Sequence, residues 1–257
     1  MKKNAAITTE SGRYFLTDRI REEVNFWTTE QSQGLRPPPA QKPVPTGSRT
    51  VPLPDRAEWS IPPCDLQAAI AGRESHREFA KESLSLGELA FLLWATQGVR
   101  QEIHEAAVLR TVPSAGCRHP FETYVAVNRV EGLEGGVIYR YLPLDNSLVV
   151  ERTVENLPTL LTASTRGQAF TGQAAVTFLW TAIPARTEWR YAEASYKVIA
   201  LDAGHVCQNL YLACEAIGAG TCAIAAYNQQ LVDELLGVDG DEEFVTYIAP
   251  VGKINRI

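Results

Sequence analysis

Three residues, Arg73, Ser75 and Arg77, stand at alternate positions in the stretch GRESHREFA, a few residues ahead of an apolar helical pattern. In an extended segment alternate side chains point to one side, so two guanidiniums and a hydroxyl could converge on one group. A phosphate suits them, because Arg forks pair with phosphate oxygens through charge-assisted hydrogen bonds and Ser adds a third donor. The same spacing equally describes a solvated loop paired to Glu74 and Glu78, and surface ion pairs of that kind are common and weak. Spacing alone does not separate the two readings.

Two further stretches could carry chemistry. In RTVPSAG, Arg110 to Gly116, Pro113 is followed by the small residues Ser114, Ala115 and Gly116; backbone there could approach a flat ligand closely while Ser114 donates or accepts. An ordinary loop before a strand would look the same. In AIAAYN, Ile224, Ala225 and Ala226 form a small-residue strand end leading into a helix capped by Asn228. Main-chain amides could bind a polar ring edge there, or the stretch could be a tightly packed core strand. The four histidines are scattered, and His205 has no second ligand three or four residues on, so no metal site is expected. No G-x-S-x-G elbow is present, which argues against Ser-His-Asp hydrolysis. Neither a P-loop nor a G-x-G-x-x-G between strand and helix is found.

The elements that must position these residues are legible in the patterning. The helix with the best signals is LSLGELAFLLWATQGV, where Ser85 and Glu88 form an S-x-x-E capping box and Gly98 offers a left-handed stop. DLQAAIAGR reads as a short helix ending near Gly72, and ESGRYFLTDRIREEVNFW as a short docked one. FETYVAVNRV, GVIYRYLPLDNSLVVE, AAVTFLWTA, GTCAIAAY and FVTYIAPVG read as strands, the second a hairpin turning at PLDN. From about Arg186 to Gly220 a single long helical pattern carries Tyr196, Ile199, Ala203, Val206, Leu210 and Ala213 on one face, too apolar for a surface helix, and QQLVDELLG gives a last helix ending at Gly237. This order predicts an α+β fold, a three-layer αβα sandwich around a mainly antiparallel sheet.

Composition bounds the rest. A chain of 257 residues, 45% apolar, can bury a substantial core. Twenty-four basic against 30 acidic residues, a net charge of −6, give no basic field for nucleic acid or an anionic membrane. The start MKKNAAITTESGRYF has no apolar signal core, and no window approaches a spanning length, so a cytoplasmic protein is expected. Cys64, Cys117, Cys207, Cys214 and Cys222 are an odd number with no C-x-x-C pair, so neither a disulfide framework nor a zinc site is expected. Most of the 15 prolines lie in RPPPAQKPVPTGSRTVPLPDRAEWSIPP, which should be extended and lie over a surface or bridge to a partner. The expected organisation is a Pro-containing extension over 1–63 and a folded domain over 64–257.

Taken together, GRESHREFAKESLSLGELAFLLWATQGV, RTVPSAGCRHPFETYVAV, GLEGGVIYRY, DAGHVCQNLYLACEAIGAGTCAIAAYNQQLVDELLG and IAPVGK resemble the nitroreductase superfamily, specifically its SagB-type, thiazole/oxazole-forming dehydrogenases, over about Asp65 to Lys253. The family's usual opening R-R-S-x-R-x-F stands here as Arg73-Glu74-Ser75-His76-Arg77-Glu78-Phe79, with Glu in place of the second arginine. The resemblance implies an intertwined homodimer with FMN at the subunit interface and the long apolar helix as the dimer core. Arg73, Ser75 and Arg77 would hold the FMN phosphate and ribityl chain, with Lys253 or Arg256 as further cations. Pro113, Ser114, Ala115 and Gly116, from the partner subunit, would lie along the flavin. Ile224, Ala225 and Ala226 would run past the ring through backbone contacts, since the paired alanines replace a Glu-Gly pair common in nitroreductases. The Pro-rich part would wrap the partner or cover the site entrance.

The activity implied is an FMN-dependent oxidoreductase, reduced by a donor such as NAD(P)H and reoxidised by a small-molecule acceptor. The alternatives are azoline dehydrogenation on a modified peptide and a flavin-binding dimer without turnover. Members active on azolines carry a Lys-Tyr pair where this chain has Arg190-Tyr191. Arg does not serve readily as a general base, though Tyr191 could donate a proton; the pair could also be simple helix-start packing. The substrate-facing wall is expected in loops such as RQEIHEAAVL and TASTRGQAFTG.

Overall fold

The structure, a computed structural model, describes residues 8–104 and 107–255. Arg256, one of the expected cations, lies outside the described residues.

The strands are β1 (Thr50–Pro52), β2 (Val99–His104), β3 (Ala107–Arg110), β4 (Phe121–Val127), β5 (Val137–Leu142), β6 (Ser147–Thr153), β7 (Val176–Ala182), β8 (Ala219–Thr221) and β9 (Phe244–Lys253). The α-helices are α1 (Thr9–Leu16), α2 (Ile20–Glu23), α3 (Leu66–Gly72), α4 (Leu86–Gln97), α5 (Leu157–Ser164), α6 (Phe170–Gln173), α7 (Ala185–Tyr191), α8 (Ser195–Ala216) and α9 (Gln229–Leu236). Seven strands form one antiparallel sheet in the order β1-β6-β5-β4-β7-β9-β8.

The central strands β4 and β7 are buried along their whole length, and each alternates its side chains between two apolar layers. Val125, Phe178 and Trp180 meet Leu93 of α4 and Val206 and Leu210 of α8. Tyr124, Ala126 and Leu179 meet Leu157 and Leu161 of α5 and Val232 and Leu236 of α9. The expected three-layer arrangement is therefore present, with helices covering both faces of the sheet.

The capping box of α4 forms as the sequence predicts: Glu88 N donates to Ser85 Oγ (3.1 Å) and Ser85 N to Glu88 Oε2 (2.9 Å). Gly98 differs from expectation. Its backbone is extended (φ −60°, ψ 139°), and glycine is required for space, since a Cβ there would lie 2.3 Å from Trp94 Cδ1.

The long helix read from Arg186 to Gly220 is in fact two. Ala192 at φ +44°, ψ −132° ends α7, a single 3-10 turn follows, and α8 begins at Ser195. Ala192, Glu193 and Ala194 carry no breaker residue, so periodicity could not reveal the break. On α8, Ile199, Ala203, Val206, Leu210 and Ala213 are buried as expected, but Tyr196, beside the break, is 50% exposed. GTCAIAAY yields only β8, followed by an isolated bridge from Ile224 to Ile248. The stretches read as loops contain structure: RQEIHEAAVL supplies most of the β2–β3 hairpin, and TASTRGQAFTG holds the end of α5 and most of α6.

The N-terminal part divides in two. α1 buries none of its residues. The Pro-rich stretch instead lies over its own chain: β1 joins the sheet edge, and residues 40–43 cross a cluster of buried charges. Ala40 O accepts from Arg110 (2.7 Å), Lys42 O and Pro43 O accept from Arg140 (2.9 and 3.1 Å), and Lys42 N donates to Glu122 (2.8 Å). Glu122 also pairs with Arg186 and Arg140. Burial pushes the Glu122 carboxyl up, but Arg186 and Arg140 outweigh it and hold that carboxyl below its ordinary value.

Candidate functional site

The segment carrying Arg73, Ser75 and Arg77 lies along the open edge of the sheet. Its backbone is fixed by His76 N to Thr221 O (2.9 Å) and Ala80 N to Lys253 O (2.8 Å). Gly220 and Gly252 are register partners in β8 and β9. A Cβ on Gly220 would come within 2.6 Å of the His76 ring, and one on Gly252 within 2.9 Å of Phe79. The glycine pair thus makes the groove into which His76 and Phe79 pack, and Ser75 and Arg77, alternate to His76, are left exposed. Ser75 Oγ lies 2.9 Å from the Tyr211 hydroxyl, which accepts from Ala223 N (2.9 Å). Arg73 stacks on the same ring at 5.4 Å. Neither the Arg73 nor the Arg77 guanidinium forms a hydrogen bond or ion pair among the described residues, so the reading in which Glu74 and Glu78 neutralise them is not what the fold adopts. Beneath them Thr221 Oγ1 is buried without a partner. Two uncommitted guanidiniums, an exposed hydroxyl and a buried orphan hydroxyl make a donor set that fits a phosphate.

The Tyr211 link continues into the third candidate stretch. Ile224 is buried in its bridge to Ile248, while Ala225 and Ala226 are exposed beyond it, so small side chains leave the backbone accessible here. Asn228 caps α9, accepting from Leu231 N at 3.2 Å. Lys253 is close by, but its Nζ is bound to Glu88 Oε1 (2.5 Å) and Ile217 O (2.7 Å), so its charge is balanced within the chain.

The Pro113–Gly116 loop is held by a residue that sequence reasoning passed over. Asp202 of α8, buried, accepts from Ser114 Oγ (2.5 Å) and from Ala115 N (3.3 Å), and Ser114 Oγ in turn accepts from His119 N (2.9 Å). Burial pushes the Asp202 carboxyl up, with the Ser114 and Ala115 hydrogen bonds opposing. Arg110, at the head of this stretch, faces inward to Gln97 Oε1 (2.7 Å) and Ala40 O, and burial lowers it to about 10. Gly116 adopts φ +59°, and a Cβ there would lie 2.8 Å from both Arg190 Cδ and the Tyr191 hydroxyl oxygen. The fold therefore brings the loop against Arg190-Tyr191, a juxtaposition that 73 intervening residues hide from spacing arguments. Asp202→Ala removes the acceptor from two donors; at about 1 kcal/mol for each such bond, amide exchange over residues 114–119 should rise roughly thirtyfold, and less in Asp202→Asn. Unchanged exchange in the alanine variant would show that Asp202 does not hold the loop.

The two groups are separate in one chain. Asp202 and Tyr211 are nine residues apart on α8, about two and a half turns. The Pro113–Gly116 loop and the Arg73–Arg77 segment thus contact opposite flanks of that helix. His119 is buried, its ring nitrogen 3.1 Å from Val108 O, and burial with Arg110 nearby lowers it to about 3, so it stays neutral. Of the cysteines, Cys207, Cys214 and Cys222 are buried, Cys117 is half-buried and Cys64 exposed. Among the described residues no group of three or more His, Cys, Asp or Glu is placed to hold a metal, and no helix is long and apolar enough to cross a membrane.

Comparison with known proteins agrees with the fold. The Nitroreductase family matches residues 70–253, beginning in α3 and ending with β9. A Methanocaldococcus jannaschii protein assigned as a nitroreductase, MJ1384, is 32% identical over 202 residues, 77% of this chain and 98% of its own length. The trifolitoxin-processing protein TfxB of Rhizobium leguminosarum bv. trifolii is 32% identical over 138 residues, 51% of this chain and 36% of that longer one. Among solved structures, a nitroreductase of Ralstonia eutropha superposes with a TM-score of 0.66 at 27% identity, covering 87% of this chain and 97% of that one. A chain of the Escherichia coli microcin synthetase McbBCD complex, crystallised with truncated pro-MccB17, shares the fold at TM-score 0.60 and 18% identity, covering 99% and 100%.

Proposed function

The chain belongs to the nitroreductase family, and from that premise we propose that it is an FMN-dependent oxidoreductase working as a homodimer, reduced by a donor such as NAD(P)H and reoxidised by a small-molecule acceptor. The observation that carries this reading is the pair of uncommitted guanidiniums, Arg73 and Arg77, flanking the exposed Ser75 at the start of the matched region. Held this way they suit a phosphate monoester, with Ser75 as neutral donor. When bound, FMN supplies the electron exchange, so the chain need only seat it and manage protons. Exposed Ala225 and Ala226 let a flat ring lie close to backbone. Tyr191 holds a phenolic proton beside Gly116, with Arg190 against it as a fixed positive charge.

A homodimer is supported by the separation across α8. If both groups serve one flavin, the Pro113–Gly116 loop must come from a second copy. An exposed stripe on α8, including Tyr196, Ala200, Leu201, Gly204 and Gln208, is available for such pairing.

Azoline dehydrogenation on a modified peptide is the second reading, favoured by the similarity to TfxB and by the contact between the 113–116 loop and Arg190-Tyr191. Anaerobic mixing of the yellow protein with NADPH or NADH separates the two. Bleaching of the flavin band within seconds is expected; a flavin that stays oxidised with both nicotinamides would overturn the donor assignment and favour the peptide reading.

A further inference from the structure

Beside the 113–116 loop, between α4, α8 and the foot of the β2–β3 hairpin, lies a hollow of about 530 Å³ walled by Arg56, Phe91, Trp94, Arg100, Asn209 and Leu212. Its aromatic wall is preorganised: Trp59 packs edge-on against both Phe91 (5.8 Å) and Trp94 (5.7 Å). The Arg56 guanidinium lies 4.2 Å from the Trp94 ring centre, and a second hollow of about 370 Å³ on the far side shares Arg56, Trp94 and Arg100. These two arginines form no hydrogen bond or ion pair among the described residues. The carboxylates next to Arg56 are engaged elsewhere, with Asp55 and Glu58 closing a capping box on each other. Asn209 donates its amide to Ala95 O (2.8 Å), which leaves its side-chain oxygen free to accept. Thr111, also on the wall, stands two residues before Pro113, and Asn209 lies seven residues along α8 from Asp202, about two turns and so on the same flank.

We propose that this hollow is where the acceptor binds, and that it selects acceptors carrying a carboxylate on an aromatic body. The inference rests on the oxidoreductase reading above and adds the chemical class of the acceptor. Two guanidiniums without counter-charges would take a carboxylate through forked, charge-assisted hydrogen bonds, and the indole and phenyl faces would take the ring. The apolar wall with a few converging polar groups is the usual composition of a small-molecule site. The cationic rim then discriminates between acids and their neutral isosteres.

Calorimetric titration of the purified full chain with 4-nitrobenzoate and with its neutral isostere 4-nitrobenzamide tests this. Wild type should bind the acid at least tenfold more tightly than the amide. The double variant Arg56→Gln, Arg100→Gln should bring that ratio to about one, move the amide's affinity less than twofold, and keep the wild-type flavin absorbance per chain. Equal binding of acid and amide by wild type, or an undiminished preference in the double variant, overturns the proposal. So does loss of flavin from the double variant, which would make the hollow part of the cofactor site. The titration also reads the preference on flavin-free protein. Failure to bind flavin therefore counts against the cofactor assignment, and loss of the acid preference counts against this one.

Discussion

Replacing both Arg73 and Arg77 by Ala should give a folded protein that purifies colourless. Each guanidinium stands to give a charge-assisted contact worth about 1.5–3 kcal/mol, so the double variant should lose at least a hundredfold in FMN affinity. Folding should be nearly untouched, because among the described residues neither guanidinium has an ion pair or hydrogen bond to lose, and Arg73 gives up its stacking on Tyr211. The measurement is the flavin-to-protein absorbance ratio after dialysis, followed by titration with FMN, with the melting temperature as control. A variant that keeps its flavin would show that Arg73 and Arg77 do not grip the phosphate.

The largest effect on stability is expected at Glu122, in the buried charge cluster under residues 40–43. This carboxylate is 3% exposed and faces Arg186 and Arg140, buried to a similar degree, while also accepting from the Lys42 amide. Glu122→Gln keeps the shape and removes the charge, leaving two buried guanidiniums with, among the described residues, Glu151 as the remaining carboxylate paired to Arg140. Breaking one partner of a buried ionic cluster costs about 3–5 kcal/mol. In a chain of this size that corresponds to a fall in melting temperature of about 10 °C. Arg49→Ala is the contrasting case, because its 2.7 Å pair with Glu134 is solvent-exposed on both sides and such pairs give at most about 1 kcal/mol. Equal melting temperatures for Glu122→Gln and wild type would mean that the cluster does not fasten residues 40–43.

Helices with explicit caps and strands with β-branched runs were legible in the sequence because their signals are local. The Ser85–Glu88 box, the Asn228 cap, the Gly237 stop and the buried β7 all follow from a few adjacent residues. What escaped depends on distance. Glu122, Arg140 and Arg186 are far apart in the sequence, and only the fold brings them together under the Pro-rich strap, where the Lys42 and Pro43 carbonyls accept from Arg140. The break at Ala192 falls in a stretch, Ala192-Glu193-Ala194, that holds no breaker residue. Asp202 looks like one more polar residue on an apolar helix until Ser114 is placed against it. At the candidate site, the residue types at 73, 75 and 77 left an anion site and a solvated, ion-paired loop both open; that the two guanidiniums form no ion pair among the described residues could be seen only once Tyr211 and Thr221 were in place.

The grip on a phosphate is tested most directly by comparing FMN with riboflavin, which carries the same ring without the anionic tail. Fluorescence titration of flavin-free protein should show FMN binding at least a hundredfold more tightly than riboflavin, and the difference should vanish when Arg73 and Arg77 are both Ala. Equal affinity of the wild-type protein for the two flavins would contradict the assignment of Arg73, Ser75 and Arg77.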